Sequence, residues 1–420
     1  MKKICVIGLG YIGLPTSVLL AFSGWKVTGV DINEKIVSYI NKGKAHINEA
    51  NINWLLQEVI VNERLIAKTT PREADVFIIA VPTPINNEFR CNLSYVVEAT
   101  KSILPYLQKG NTIIIESTIP PGTTEDIVKP IIENESFEIG KDIFLAYCPE
   151  RVLPGHIIEE LIYNNRIVGG CTEKCGLKAK EVYNTFVKGD IFITDAKTAE
   201  MTKLVENTYR DVNIAFSNEI TKVCNTLNIN VYDVINFANM HPRVSILNPG
   251  PGVGGHCLAV DPYFIIEKAP NESQIISLSR EINNSMPDYV VKQVDNLLKN
   301  NSNPKVAVFG ITYKGNVNDL RESPAIKISN ILRKKGYEVN AYDPLIKENE
   351  YNVVSLNTAI KDADILLILA DHDEFKFLNY EKIAKYMNSP IIFDTKHIID
   401  EETLSNEIQL INFGNLYFKN

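Results

Sequence analysis

The chain has no apolar run long enough to cross a bilayer. Its longest, Val76 to Pro82 and Ile365 to Ala370, are strand-sized against the ~20 residues a span requires, so no membrane partner is expected. The opening "MKKICVIGLGYIGLP" places two lysines before apolar residues as a secretory signal does, but glycines interrupt the run, and a cytoplasmic location is expected. A disulfide framework is lacking as well: the seven cysteines are odd in number and scattered, which agrees with a reducing compartment. Cys171 and Cys175 have no nearby His or Cys to complete a zinc set, so no metal is expected. Basic surplus is absent too. A net charge of −8 argues against a nucleic-acid partner, and any anionic ligand must be held by local cations.

What is present is an ordinary globular composition, 45% hydrophobic and 22% charged, over 420 residues, too many for one core. The segment "KICVIG" reads as a buried strand running into "GLGYIG", then the apolar-periodic helix "LPTSVLLAFSG" and a second strand, "KVTGVD", ending on Asp31. This is a β-α-β unit with a G-x-G-x-x-G turn and an acid 18 residues after its last glycine. Gly8 makes the tight turn, Gly10 lets the backbone approach a pyrophosphate, and Gly13 packs helix on strand, while the helix N-terminus meets the negative charge. Asp31 suits the adenosine ribose hydroxyls and repels a 2′-phosphate, so NAD is the expected cofactor. Tyr11, Ile12 and Lys35 complete the expected cofactor set around this turn.

Further strands are expected in 75–84, 111–123 and 142–155, and β-α alternation predicts a doubly wound parallel sheet with ligands at the strand carboxyl ends. "VPTP", "ESTIPPGT" and "CPERVLPG" fall on that edge, making Thr83 and Thr118 candidates to touch the dinucleotide. From Ala196, after a cap at Asp195, the chain turns helical. Pro287 marks a kink or a break in a second helical stretch ending near Asn301. After it "KVAVFG" opens a degenerate copy of the first third, with "GYEVNAYDP" echoing "GWKVTGVDI" but no proper glycine fingerprint. The expected fold is therefore α/β, with two Rossmann-like doubly wound domains, 1–195 and 302–420, joined by a central helical domain, 196–301. Such bridging helices often carry a dimer interface, and a homodimer or higher homo-oligomer is expected.

Two stretches carry candidate chemistry. On the helix from Thr198, Lys203, Asn207 and Arg210 share an arc of roughly 60° at ~100° per residue. Met201, Leu204, Val212, Ala215 and Val223 lie opposite, and a solvated polar face is the plainer reading. The loop "GPGVGGHCLAVDPYF" is sharper. Cys5, Cys148 and Cys224 read as inert buried thiols, whereas Cys257 sits among glycine amides able to stabilise a thiolate or an oxyanion, with His256 before it and Asp261 after it. A nucleophilic thiol beside a nicotinamide is what aldehyde oxidation through a thiohemiacetal and a thioester requires.

The ordered set "GLGYIGLP", "VPTP", "ESTIPPGT", "CPERVLPG", "EMTKLVENTYRDVNIAFSNE", "GPGVGGHCLAVDPYF" and "GITYKGNVNDLRESPA" resembles the nucleotide-sugar 6-dehydrogenases, the UDP-glucose and UDP-N-acetylhexosamine dehydrogenase family, along essentially the whole chain. "GVGGHCLAVDPYF" and "HPRV" resemble the branch acting on UDP-N-acetyl-D-mannosamine. The UDP-glucose enzymes have a shorter glycine-serine-cysteine loop ending in proline-lysine-aspartate; here Ala259 and Val260 fill the place of the proline and lysine, and His256 that of the serine. The resemblance implies a four-electron oxidation of the sugar C6 alcohol to a carboxylate with two NAD turning over, feeding surface polysaccharide such as capsule. It implies Cys257 as nucleophile, Lys203 with Asn207 as proton handler and oxyanion stabiliser, and Asp261 or Glu150 as the group that activates water. Arg151, Val152, Lys203, Asn207, Arg210, His241, Arg243, Gly254, Tyr313 and Lys314 match positions that contact the UDP-sugar, and Arg321 a position that reaches NAD. The same chemistry on UDP-N-acetylglucosamine or UDP-glucose is the nearest alternative. A two-electron β-hydroxyacid dehydrogenase would have neither the thiol nor the third part of the chain, and an NAD-responsive binding protein would need neither Cys257 nor Lys203.

Overall fold

The chain divides into two units in the computed structural model, which describes residues 2–416 apart from Asn48, Asn87, Pro154, Asn300 and Ser302. The expected boundary at residue 302 falls outside the described residues. The first unit holds the residues up to Glu206 together with Tyr263–Pro270. The second holds Asn207–Pro262 and the residues from Asn271 onward.

The first unit is built on eight strands: β1 Lys3–Ile7, β2 Lys26–Val30, β3 Leu65–Lys68, β4 Val76–Ile79, β5 Thr112–Ile115, β6 Phe144–Tyr147, β7 Arg166–Gly170 and β8 Ile191–Asp195. Their order is β3-β2-β1-β4-β5-β6-β7-β8, and every pair is parallel except β6 with β7. Strands β4, β5 and β6 are buried along their whole length, as the continuous apolar runs of a sheet covered on both faces require. The strand order reverses direction between β1 and β4, which opens a ligand crevice at their carboxyl ends. The glycine fingerprint and "VPTP" follow those two strands.

The second unit carries the parallel sheet β10-β9-β11-β12-β13, from β9 Lys305–Phe309, β10 Glu338–Tyr342, β11 Ile365–Ile368, β12 Ile391–Asp394 and β13 Gln409–Asn412. The echo of the first third is structural. Leu9 N donates to Asp31 Oδ2 at 3.1 Å, and Ile311 N donates to Asp343 Oδ2 at 2.8 Å, so each acid pins the turn after its first strand. Gly8 and Gly310 take the matching left-handed φ of 93° and 82°. Asp343, however, is buried with its carboxylate 3.2 Å from His372 Nε2, so it is engaged inside the fold, where Asp31 stays partly open to solvent.

Two helical expectations need correction. Of the kink or break expected at Pro287, the break does not occur: Gln274–Leu297 is one helix with the proline inside it. Asn283, Met286, Val290, Val291 and Val294 are buried on both sides of that residue, and this packing carries the helix past the missing amide donor. The helix Ala196–Leu227 does not bury the apolar side expected of it. Leu204 and Ala215 are buried, but Met201 and Val223 are 36% and 44% exposed. Its buried face is largely polar, with Glu200, Asn207, Asp211, Ser217, Asn218 and Thr221 inside. Those groups are held by hydrogen bonds, so burial there follows pairing and not hydropathy. Among the described residues no helix is long and apolar enough to cross a membrane.

Candidate active site

In the first unit the glycine turn is a cradle that side chains would fill. A Cβ on Gly13 would lie 1.8 Å from Gly8 O, and one on Gly8 would lie 2.4 Å from Ala80 O, whereas a Cβ on Gly10 would meet nothing within 4 Å. Gly8 and Gly13 are therefore fixed by contact, and Gly10 leaves open space over the turn, which fits a dinucleotide pyrophosphate. Asp31 closes the arrangement, accepting from Leu9 N and from Asn33 N at 2.9 Å. Tyr11 and Lys35 are exposed and Ile12 half-buried around it. Thr83 Oγ donates to Thr118 O at 2.6 Å, tying the loops after β4 and β5 together. The Thr118 loop is anchored by Glu200, whose carboxylate receives Thr124 N at 2.8 Å, Thr124 Oγ at 2.6 Å and Gly122 N at 2.5 Å.

Glu150 follows β6 and is clamped. Its Oε1 accepts from Arg151 N at 2.7 Å and its Oε2 from Arg166 Nη2 at 3.0 Å, with the Glu150 and Arg166 side chains nearly buried. Arg151 reaches Glu206 at 2.9 Å, and Val152 packs on the core. Behind Glu150 lies a buried polar cluster. Arg166 stacks its guanidinium 4.7 Å from the Tyr183 ring, and Tyr183 donates to Glu116 Oε1 at 2.6 Å. Burial pushes the Glu116 carboxyl up to about 7, against the opposing pull of Arg166. Burial likewise raises Cys5 and Cys148 to about 11, in line with inert thiols. Lys203 is half-buried on the helix Ala196–Leu227.

In the second unit the loop before Cys257 is close-packed backbone. A Cβ on Gly254 would stand 2.7 Å from Glu322 O and one on Gly255 2.8 Å from the Tyr313 ring; Gly255 also needs a φ of 84°. Gly255 N donates to Arg321 O at 2.9 Å, so the loop is sewn to the segment after β9. Cys257 is half-buried, and its carbonyl accepts from Val260 N and Asp261 N at 2.9 and 2.8 Å, turning the chain into the helix Asp261–Lys268. Asp261 is buried and receives the Asn207 side-chain amide, whose oxygen in turn receives Arg210. The structure thus joins three expected site residues, Asp261, Asn207 and Arg210, in one chain of hydrogen bonds. Below them a second network links Asp211 to Arg280 at 2.6 Å and to Asn283 at 2.8 Å.

His241 Nδ1 accepts from Arg243 N at 3.3 Å in an exposed turn, and Lys314 O accepts from Thr312 Oγ at 3.0 Å. Arg321 grips Asp319 through Nε and Nη2 at 2.6 to 3.1 Å, and Asp319 Oδ2 lies 3.6 Å from His256 Nδ1. Sequence reasoning assigns no role to Asp319, Arg166 or Glu116. Asp319 stands two residues before Arg321 inside the motif "GITYKGNVNDLRESPA", and that spacing is the one available signal; Arg166 and Glu116 meet only through the fold. Among the described residues no group of three or more His, Cys, Asp or Glu side chains is placed to hold a metal ion.

Comparison with known proteins puts these sites in context. Residues 2–187 match the NAD binding domain, 197–285 the central domain and 307–401 the UDP binding domain of one family. The chain is 51% identical over 414 residues to a UDP-N-acetyl-D-mannosamine dehydrogenase of Methanocaldococcus jannaschii, covering 97% of this chain and 95% of that one. Among solved structures it is similar to the UDP-N-acetyl-mannosamine dehydrogenase Cap5O from S. aureus, with 52% identity, a TM-score of 0.93 and 100% of both chains covered. It is also similar to the UDP-D-ManNAc dehydrogenase from Pyrococcus horikoshii, with 42% identity, a TM-score of 0.94, and 99% and 100% of the two chains covered. With the glycine cradle in its first domain and the UDP binding domain in its last, the chain belongs to the UDP-glucose/GDP-mannose dehydrogenase family.

Proposed function

We propose that the protein oxidises the C6 alcohol of UDP-N-acetyl-D-mannosamine to the carboxylate, with Cys257 as the covalent nucleophile. The observation that carries this reading is the half-buried Cys257 on a loop whose Gly254 and Gly255, packed against Glu322 O and the Tyr313 ring, leave no room for a side chain. The relatives at 46–51% identity that bear the mannosamine name support the substrate. NAD, when bound, supplies the hydride acceptor for both oxidations. Gly8, Gly10 and Gly13 bring backbone to its pyrophosphate, Asp31 takes the ribose hydroxyls, and Tyr11, Ile12, Lys35, Thr83, Thr118 and Arg321 complete its site.

Cys257 sulfur adds to the C6 aldehyde to give a thiohemiacetal, which after the second hydride loss is a thioester. Lys203 exchanges the alcohol proton and, with Asn207, offsets the oxyanion charge. Water then releases the carboxylate. For that step the hydrogen-bonded placement of Asp261 beside Asn207, and of Glu150 beside Arg166, holds each carboxylate in one orientation. Arg151, Arg210, Arg243 and Lys314 supply the local cations that let an acidic protein hold a pyrophosphate; Val152, His241, Gly254 and Tyr313 complete the sugar-nucleotide site.

The enzyme works as a cytoplasmic homodimer and supplies its uronic acid nucleotide to surface polysaccharide such as capsule. An exposed apolar stripe, Tyr209, Phe216, Val223 and Leu227 on the long helix, supports the dimer. The test of the function is the NADH formed per sugar consumed by purified protein. Two with UDP-N-acetylmannosamine supports the reading; one, none, or preference for UDP-N-acetylglucosamine contradicts it.

A further inference from the structure

We propose that His372 is a positioning residue that shapes the turn after β9 to receive the UDP moiety of the nucleotide sugar. The inference rests on the reading of Tyr313 and Lys314 as contacts to the UDP-sugar and adds what holds them in place. Gly310 to Gly315 align without a gap on Gly8 to Gly13 of the first unit, and Thr312 stands where Gly10 stands. Gly10 leaves open space over its turn, as a dinucleotide pyrophosphate requires. Thr312 is buried with its hydroxyl turned inward, so the second copy of the turn is closed from behind. The two side chains that follow it, half-buried Tyr313 and exposed Lys314, are what this turn offers a ligand.

The closing group is His372, buried on the segment after β11. Its Nδ1 accepts from Asn316 N at 3.0 Å, so that nitrogen carries no proton. Its Nε2 lies 3.0 Å from Thr312 Oγ and 3.2 Å from Asp343 Oδ2. Thr312 Oγ donates its own proton to Lys314 O at 3.0 Å, which leaves Nε2 as the donor to the hydroxyl and the carboxylate. The ring thus bonds to both ends of the turn, Thr312 and Asn316, and through Thr312 to the backbone of Lys314. Neighbours complete the frame. Gly315 N donates to Asp371 Oδ1 at 3.1 Å, and the Asn316 side chain exchanges two bonds with Asp373, at 2.7 and 3.0 Å.

Asp343, the counterpart of Asp31, completes the exchange of roles between the two copies. It is buried and receives Ile311 N at 2.8 Å and Thr312 N at 3.3 Å besides the imidazole. An acid assigned to a ribose in the first unit here anchors the turn from below, with His372 seated against it. The Phe375 ring meets the imidazole edge to face at 5.2 Å and fixes its plane. Removing the two ring nitrogens takes a partner from Thr312, Asn316 N and Asp343 at once, and the turn then relaxes from the shape that presents Tyr313 and Lys314.

The experiment is calorimetric titration of the full-length protein with UDP and, separately, with NAD. His372→Phe keeps a ring against Phe375 but removes both nitrogens. Its Kd for UDP should rise by about tenfold or more, with the parent's binding stoichiometry and a Kd for NAD within about twofold of the parent's. His372→Asn sets an amide oxygen near the place of Nδ1, and its UDP affinity should lie between those of the parent and the phenylalanine variant. A residue that only stabilised the fold would change the stoichiometry and not the Kd. A folded His372→Phe protein, judged by circular dichroism, that binds UDP with the parent's Kd therefore overturns the proposal. Thr312→Val, which removes the hydroxyl between the ring and Lys314 O, serves for the same comparison if the phenylalanine variant does not fold. Lys314→Ala separates the proposal from the reading beneath it. Parent-like UDP affinity in that variant sinks the reading of the site, whereas weakened binding there beside unchanged binding in His372→Phe sinks only the role of His372.

Discussion

Replacing Glu116 by glutamine should make the protein more stable at alkaline pH, and the structure sets the size. The carboxyl is 3% exposed and is raised from 4.5 to about 7, chiefly by burial, while Arg166 pulls the other way. Between those two values the folded protein keeps a proton that the unfolded chain has released. Stability from this group is thus full below about pH 4.5 and falls as pH rises to about 7. The displacement corresponds to about 3 kcal/mol at 1.36 kcal/mol per tenfold in proton affinity. Glutamine removes the ionisation yet keeps an acceptor for the Tyr183 hydroxyl and offers its amide to Thr16, which lies 3.4 Å from the second carboxyl oxygen. Urea unfolding of the two proteins should show a gap that widens by about 2.5 kcal/mol from pH 5 to pH 8 in favour of the variant. A gap that stays constant with pH refutes the argument that burial governs this carboxyl. The same ionisation competes with Glu150 for Arg166, so Glu116 sits one charge away from the expected water-activating group.

Other outcomes follow from single contacts. Gly13→Ala drives a methyl onto Gly8 O and should cost about 3 kcal/mol or more, with loss of NAD binding by calorimetry. Asp31→Ala removes both the ribose acceptor and the anchor of Leu9 N; NAD should bind more weakly and NADP be discriminated against less, and an unchanged cofactor preference counts against the role. Arg280→Met strands the buried Asp211 carboxylate and should cost about 3–5 kcal/mol in urea unfolding, most of it recovered when Asp211→Leu is added. A double variant as unstable as the single one would show that the pair is not what matters there.

The fold was legible where local chemistry is unambiguous. The G-x-G-x-x-G turn, its flanking strands and Asp31 could be read because each glycine answers a contact a few residues away. The echo of that unit after residue 305 was equally readable, down to Asp343 standing for Asp31. Strands β3, β7 and β8 were not located: Leu65–Lys68 alternates buried with exposed and Arg166–Gly170 opens on an arginine, so neither reads as an apolar run. The long helix misled for a related reason, since its inner face is polar and pairs with groups distant in sequence, as Asp211 does with Arg280. Of the site, Cys257 and its glycine loop stood out by composition. Asp319 and Arg166 did not: the one signal for Asp319 is its spacing to Arg321, and Arg166 meets Glu150 only in the folded chain.

The reactivity of one sulfur decides the account. Cys257→Ala, mixed with NAD and UDP-N-acetylmannosamine, should still bind the nucleotide sugar with little change by calorimetry yet give no net steady-state turnover. Steady NADH production by that variant at the parent rate would contradict it.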